Sequence, residues 1–374
     1  MNKKVGIITF HRSHNCGSIL ESFAMQKIVS KLGYSAELIN FSSNGQRDMY
    51  RVFSKQRKIK KIIKNIIVLP LFRTIRRHYN NYADFIKKHL KVSSGDYKTE
   101  SDLKNIKDNY DIFLAGSDQI WNITIPDYDI SYFLPFTEKK KIAYAPSFGA
   151  KNILDNSASP EIYCDLLKKF NYLSVRENNG KKWIYDMTGI SVPVVLDPTL
   201  LIGREEYDKL ERDSGIKGKY IFYYSPQYKK DINKFVKRVS KKYKMPVIVW
   251  NSKEYIIKGL YRYGFKMAYE QDPGIYLNLI KHAELVITTS FHGSIFSSIY
   301  RKKFWVMKNG GMYGDDDRVL TLLDELKLSD RLIEPTFDES CDYMEREIDY
   351  SSYKTALIKH KKESIDFLEE ALEK

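Results

Sequence analysis

The heptapeptide Thr288-Thr289-Ser290-Phe291-His292-Gly293-Ser294 follows an apolar run and opens a helical one. It sets an imidazole at a strand-to-helix switch. The ordinary imidazole pKa of ~6.5 suits proton transfer at neutral pH; a histidine that merely caps a helix would stand in the same place. Ser290, Gly293 and Ser294 lie where free N–H groups and the helix dipole attract an anion. A similar switch occurs at His11–Ser18, where Asn15, Gly17 and Ser18 either hold an anion or form an ordinary N-cap turn. Arg176, in Ser174-Val175-Arg176-Glu177, can hold a carboxylate or phosphate in bidentate fashion, or simply pair with Glu177. Arg318 closes the run Gly314-Asp315-Asp316-Asp317-Arg318 and can serve as an anion ligand. The three aspartates suit a helix N-terminus better than a divalent cation. Asp118, Gln119, Trp121 and Asn122 combine carboxylate, amides and an indole, a set that binds sugars by hydrogen bonding and stacking or else forms a capped turn. Cys16 has no base fixed beside it in sequence and reads as a small buried residue.

Positioning these groups requires α/β layers. Short apolar runs at Lys4–Phe10, Ser35–Asn40, Asp111–Ala115, Lys141–Ala145, Tyr172–Val175 and Val192–Leu196 alternate with helical periodicity, as at Ser18–Leu32. Asp197-Pro198-Thr199 reads as a domain exit. The pattern restarts with strands at Lys219–Tyr224, Pro246–Trp250, Glu284–Thr289 and Lys303–Met307, and ends in an amphipathic helix over 351–374. This predicts two doubly wound domains, 1–198 and 199–374, facing each other across an inter-domain cleft that holds the site.

Of 374 residues, 43 % are hydrophobic and 14 % aromatic, which excludes a disordered chain. No apolar run is long enough to span a bilayer, and the N-terminal run is too short for a signal peptide. The 3 cysteines have neither disulfide-framework nor metal-ligand spacing. A cytoplasmic protein without a metal is therefore expected. Net charge is +15, and residues 47–91, with 14 Lys or Arg against two Asp, supply +12 of it. This segment reads as two helical pieces broken at Pro70. It has no nucleic-acid-binding signature. Ile59, Ile62, Ile63, Ile66, Ile67 and Leu71 recur among the cations. That spacing suits a helix lying on the anionic inner face of a plasma membrane, or a basic helix packed on the domain.

Six stretches, in order, resemble the polysaccharide pyruvyl transferase family: Asn15-Cys16-Gly17-Ser18, Phe113–Asn122, Ile142–Gly149, Ser174–Glu177, Val195–Leu201 and Val286–Gly293. The resemblance spans roughly residues 5–330. It implies two Rossmann-like doubly wound domains in a GT-B-like arrangement, with the basic stretch 46–91 inserted in the first. It implies transfer of the pyruvyl group of phosphoenolpyruvate, a co-substrate rather than a cofactor, to two hydroxyls of a sugar or lipid-linked oligosaccharide as a cyclic ketal. His292 would then be the acid/base. Arg176, Arg318, Gly17, Ser18, Ser290, Gly293 and Ser294 would hold the donor, and Asn15, Asp118, Gln119, Trp121 and Asn122 the acceptor. Ser290 stands where some members carry Arg, and Cys16 where many carry Tyr. The rival readings are a glycosyltransferase or sugar-phosphate transferase with a nucleotide-activated donor, and a non-catalytic scaffold at the membrane.

Overall fold

The computed structural model describes residues 3–53, 59–308 and 317–374. Lys55, Arg57 and Lys58 of the basic segment, and Gly314, Asp315 and Asp316 of the aspartate run, lie outside them.

Five strands form the first sheet: β1 (Lys4–Ile8), β2 (Ser35–Leu38), β3 (Ile112–Ala115), β4 (Lys140–Ala143) and β5 (Tyr172–Leu173), in the order β2-β1-β3-β4-β5. All pair in parallel, with Val5 opposite Ile112 and Ile142 opposite Tyr172. The second sheet has six: β6 (Ile221–Tyr224), β7 (Val247–Val249), β8 (Lys266–Met267), β9 (Leu285–Thr288), β10 (Phe304–Met307) and β11 (Leu332–Ile333), also all parallel, in the order β11-β10-β9-β6-β7-β8. The central strands are apolar on both faces because helices cover both. Two Rossmann-like lobes thus face each other in a GT-B-like arrangement, and their strand ends meet at a shared cleft.

Helix α1 (Cys16–Lys31) is buried nearly all round, because it lies on the first sheet and also touches the second lobe's Pro273–His282 helix. This is why its face at Glu21 and Ser22 is as inaccessible as its face at Leu20 and Ala24. The basic segment folds as α2 (Asn44–Met49), α3 (Ile59–Val68) and α4 (Phe72–His89), and the break at Pro70 is a 3-10 turn over Leu69–Leu71. Helix α4 buries Ile75, His78, Tyr82 and Phe85 and straps the lobes together. The His78 Nε2–H donates to the Tyr269 carbonyl at 2.9 Å, leaving Nδ1 to accept from the Ser252 hydroxyl at 2.6 Å. Arg77 Nε lies 2.8 Å from Glu270, and Asn81 donates to the same carboxylate at 2.6 Å.

Two sequence-based expectations are corrected. The strand over Val192–Leu196 is a single bridge, Val175 opposite Val194, because Pro193 has no N–H with which to extend a ladder. The C-terminal helix Tyr350–Glu373 does not belong to the second lobe alone. It starts there, with the Tyr350 hydroxyl on the Lys302 carbonyl, and crosses back. Ser364 Oγ accepts from the Leu196 N–H at 2.9 Å, and Lys140 donates to the Leu372 carbonyl. Its amphipathic periodicity called for an apolar partner but did not say which lobe would supply one. Among the described residues no helix is long and apolar enough to cross a membrane.

Candidate active site

Four chain segments bring charge to one buried point between the lobes. From the first sheet come the turn after β3, ending in Asp118, and Arg176 after β5. Asp197 sits where the chain crosses between lobes, and His292 follows β9. Ser290 caps the helix Phe291–Ile299, accepting from the Gly293 N–H at 3.3 Å, and this sets His292 in the first turn. The imidazole lies against Gly17, where a Cβ would stand 2.1 Å from Nδ1, so only glycine leaves room for the ring. His292 is 7 % exposed, with Nε2 3.5 Å from Asp197 Oδ2.

Asp197 is saturated on its other sides. Oδ1 accepts from the Thr199 N–H and hydroxyl at 3.0 and 2.6 Å, and Oδ2 from Arg176 Nη1 at 2.7 Å. Burial alone would raise its pKa, but His292, Arg176 and Thr199 outweigh it and hold the carboxyl well below the usual range. The Arg176 guanidinium lies 4.3 Å over the Phe291 ring, with Nη2 3.7 Å from Asp118 Oδ1. Its Nε and Nη2 are buried with no hydrogen-bond acceptor, a costly state for a cation. A small anion fits that need.

Several of the expected anion ligands have partners within the protein. The Gly17 N–H donates to Asn15, the N-cap of α1, at 2.9 Å. Ser18 donates to Asp118 Oδ2 at 2.5 Å, and Ser294 to the Ser290 carbonyl at 3.0 Å. Local capping thus occupies the helix-start groups. Arg318, also buried, acts electrostatically with Arg176 on Glu177. Glu177 does not serve as a surface partner for Arg176; it accepts from the Phe148 N–H at 2.8 Å, and burial raises its pKa to about 7.

The expected acceptor group divides. Asp118 joins the charged cluster. Trp121 does not reach a cleft: it is fully buried, stacked 5.0 Å from Phe133, and its indole N–H donates to the Tyr132 carbonyl at 3.2 Å. Asn122 is buried too, tied to Gln119 at 3.1 Å and to Thr124 at 2.7 Å. These side chains brace the turn that presents Asp118.

An open pocket of about 360 Å³ lies beside the cluster, lined from one lobe by His14, Asn15, Tyr50, Tyr79 and Tyr82 and from the other by Trp250, Lys253 and Gln271. The His14 ring stacks 5.1 Å from Tyr82 at an interplanar angle of 4°. Burial lowers its pKa to about 4, so it is neutral at pH 7. Cys16 shares a 3.0 Å hydrogen bond with the Tyr82 hydroxyl, and burial pushes the thiol's pKa up, which disfavours a nucleophilic thiolate. Among the described residues no group of three or more His, Cys, Asp or Glu could hold a metal ion.

Sequence reading missed Glu21. It is a mid-helix residue without a motif, and only its failure to fit the apolar stripe of α1 marks it. It accepts from the Ser117 N–H at 2.7 Å. The Thr9 hydroxyl lies 3.1 Å from Glu21 and 3.1 Å from the Ser117 carbonyl. One hydroxyl proton serves one acceptor: Thr9 donates to Glu21 while that carboxyl is ionised, and a protonated Glu21 can donate to Thr9, freeing the Thr9 hydroxyl for the Ser117 carbonyl. Burial, with Asp197 and Asp118 nearby, pushes its pKa well up. Glu21→Gln preserves both bonds. Because the folded-state pKa is raised above 4.5, the wild type loses stability as pH rises from there, by up to ~1.4 kcal/mol per pH unit, and the amide does not. Urea unfolding of both proteins at pH 5, 6 and 7 should show the difference moving in favour of Gln; a pH-independent difference would mean an ionised Glu21.

Among curated proteins none matches the chain. Solved structures similar in shape include a UDP-GlcNAc 2-epimerase from Neisseria meningitidis bound to UDP-GlcNAc, at 10% identity and TM-score 0.48 over 98% of this chain and 99% of that one. Another is an E. coli heptosyltransferase with ADP-2-deoxy-2-fluoro heptose, at 10% and 0.36 over 84% and 91%. At these scores neither bears on what this chain does. The family described as polysaccharide pyruvyl transferase matches residues 15–311, which include Asp118, Arg176, Asp197 and His292. That stretch is most of the sequence, and the chain belongs to the polysaccharide pyruvyl transferase family.

Proposed function

We propose that the protein transfers the pyruvyl group of phosphoenolpyruvate to two hydroxyls of one sugar in a bacterial surface polysaccharide or its lipid-linked precursor. The observation that carries this reading is Arg176, whose Nε and Nη2 lie buried without acceptors beside the His292–Asp197 pair. A carboxylate or phosphate oxygen would satisfy them. Arg318 adds charge on the same side.

In the first half, C3 of the enol ester takes a proton, delivered by His292, and positive charge develops at C2. One sugar hydroxyl attacks C2 and forms a C–O bond. The C2–O bond to phosphate then breaks, a second hydroxyl of the same sugar attacks, and the ketal closes. Of the two hydroxyl protons, one balances the proton gained at C3 and the other leaves with phosphate. His292 is suited to both transfers, with the Asp197 carboxylate 3.5 Å from its Nε2. The aromatic pocket between His14, Tyr79 and Trp250 would take the sugar ring by stacking.

The test is incubation with phosphoenolpyruvate and candidate sugars, free or lipid-linked. Phosphate release matched by a mass gain equal to pyruvic acid less water is expected. Stabilisation against heat by a nucleoside diphosphate but not by phosphoenolpyruvate would instead favour a nucleotide-activated donor.

A further inference from the structure

Helix α3 is amphipathic in the reverse sense of a helix packed on a soluble domain. Its inward side is Lys61, Asn65 and Val68, spaced i, i+4, i+7, of which only Val68 is buried. These residues face the second lobe's Ser252–Ile257 helix. The outward stripe is Ile59, Ile62, Ile63, Ile66 and Ile67, exposed by 75%, 45%, 50%, 64% and 38%. Helical geometry puts these five within a single arc of ~140°, with Lys60 and Lys64 along one edge. Leu69, just beyond the helix, is 59% exposed. The stripe is not an accident of a poorly apolar sequence, since the neighbouring α4 turns Ile75, Tyr82 and Phe85 inward.

We propose that this stripe inserts into the interface of an anionic phospholipid bilayer. An aliphatic stripe beside lysines matches acyl chains beneath phosphate headgroups. A second copy of the same face fits poorly, because the segment 47–91 carries +12 and would meet its own charge. The position is also informative. The helix that carries α3 supplies Ser252, Lys253 and Glu254 to the cleft pocket, so docking holds the cleft mouth at the headgroups. An acceptor carried by the membrane would enter there without leaving the bilayer surface.

The inference does not depend on the transferase reading and is tested without catalysis. The full chain is sedimented with vesicles of phosphatidylcholine alone and of phosphatidylcholine mixed with phosphatidylglycerol, at low and high salt. Binding to the anionic vesicles that weakens with salt is expected. Ile62→Glu/Ile66→Glu should reduce binding at least ~10-fold, and Lys60→Glu/Lys64→Glu should remove the preference for anionic lipid. Both pairs are at the surface except where Lys64 neighbours Glu254, so an unchanged melting temperature serves as the folding control. Three results would overturn the proposal: no binding by the wild type, equal binding by the isoleucine variant, or a wild-type dimer that the isoleucine variant dissociates while vesicles bind neither. Vesicle binding without pyruvyl transfer would refute the enzymatic reading and leave this one standing.

Discussion

Turnover of the His292→Ala protein should fall ~10²–10⁴-fold, the usual contribution of one positioned acid/base group, with the fold retained. The imidazole fills space against Gly17, and its only close ionic partner among the described residues is Asp197. Its removal leaves Asp197 still bound by Arg176 and Thr199, so no uncompensated charge is created. Stability and activity thus separate at this position. His292→Gln, which can hydrogen-bond but not shuttle a proton, should be as slow as alanine while restoring packing. Asp197→Asn should lower kcat and raise KM together, because Asp197 lies against His292 and anchors the donor-binding Arg176. Steady-state phosphate release, with circular dichroism as the folding control, measures all three. A folded His292→Ala enzyme at the wild-type rate removes the acid/base role.

The second large effect is on stability. Arg176→Met should cost about 3–5 kcal/mol, the range for breaking a buried ion pair by removing one partner. Asp197 is completely enclosed, and Asp118 nearly so. The sign with pH follows from Asp197. Its folded pKa is depressed, so the contribution it makes is present above its unfolded value of 3.8 and is lost only as pH falls through the folded one. Without the guanidinium that folded value rises. The gap between wild type and variant is therefore widest at neutral pH and narrows on acidification. Arg176→Met/Asp197→Asn should recover part of the stability, because the orphaned carboxylate is gone, yet recover no phosphoenolpyruvate binding. Denaturant unfolding and a calorimetric titration read these separately. A double variant that binds the donor normally would show that Arg176 is structural only.

The sequence was most legible where local physics decides. Strands such as Ile112–Ala115 are apolar on every side chain, and helix starts such as Asn15 and Ser290 are written in capping residues. Two α/β lobes, the turn at Pro70 and the placement of His292 at a strand end followed from those signals alone. Trp121 was misread because an indole in a motif looks the same whether it faces a sugar or Phe133.

What tertiary structure decided was which charges meet. Glu21, Asp118, Asp197, Arg176 and His292 lie up to 271 positions apart in the chain, and no periodicity links them. The protonation of Glu21 and Asp197 depends on desolvation and on neighbouring charges, quantities that exist only once the two sheets have closed over them. The same holds for the isoleucines of the basic segment. Their spacing was plain in the sequence, but whether that stripe turns inward or outward is settled by what the opposite face packs against.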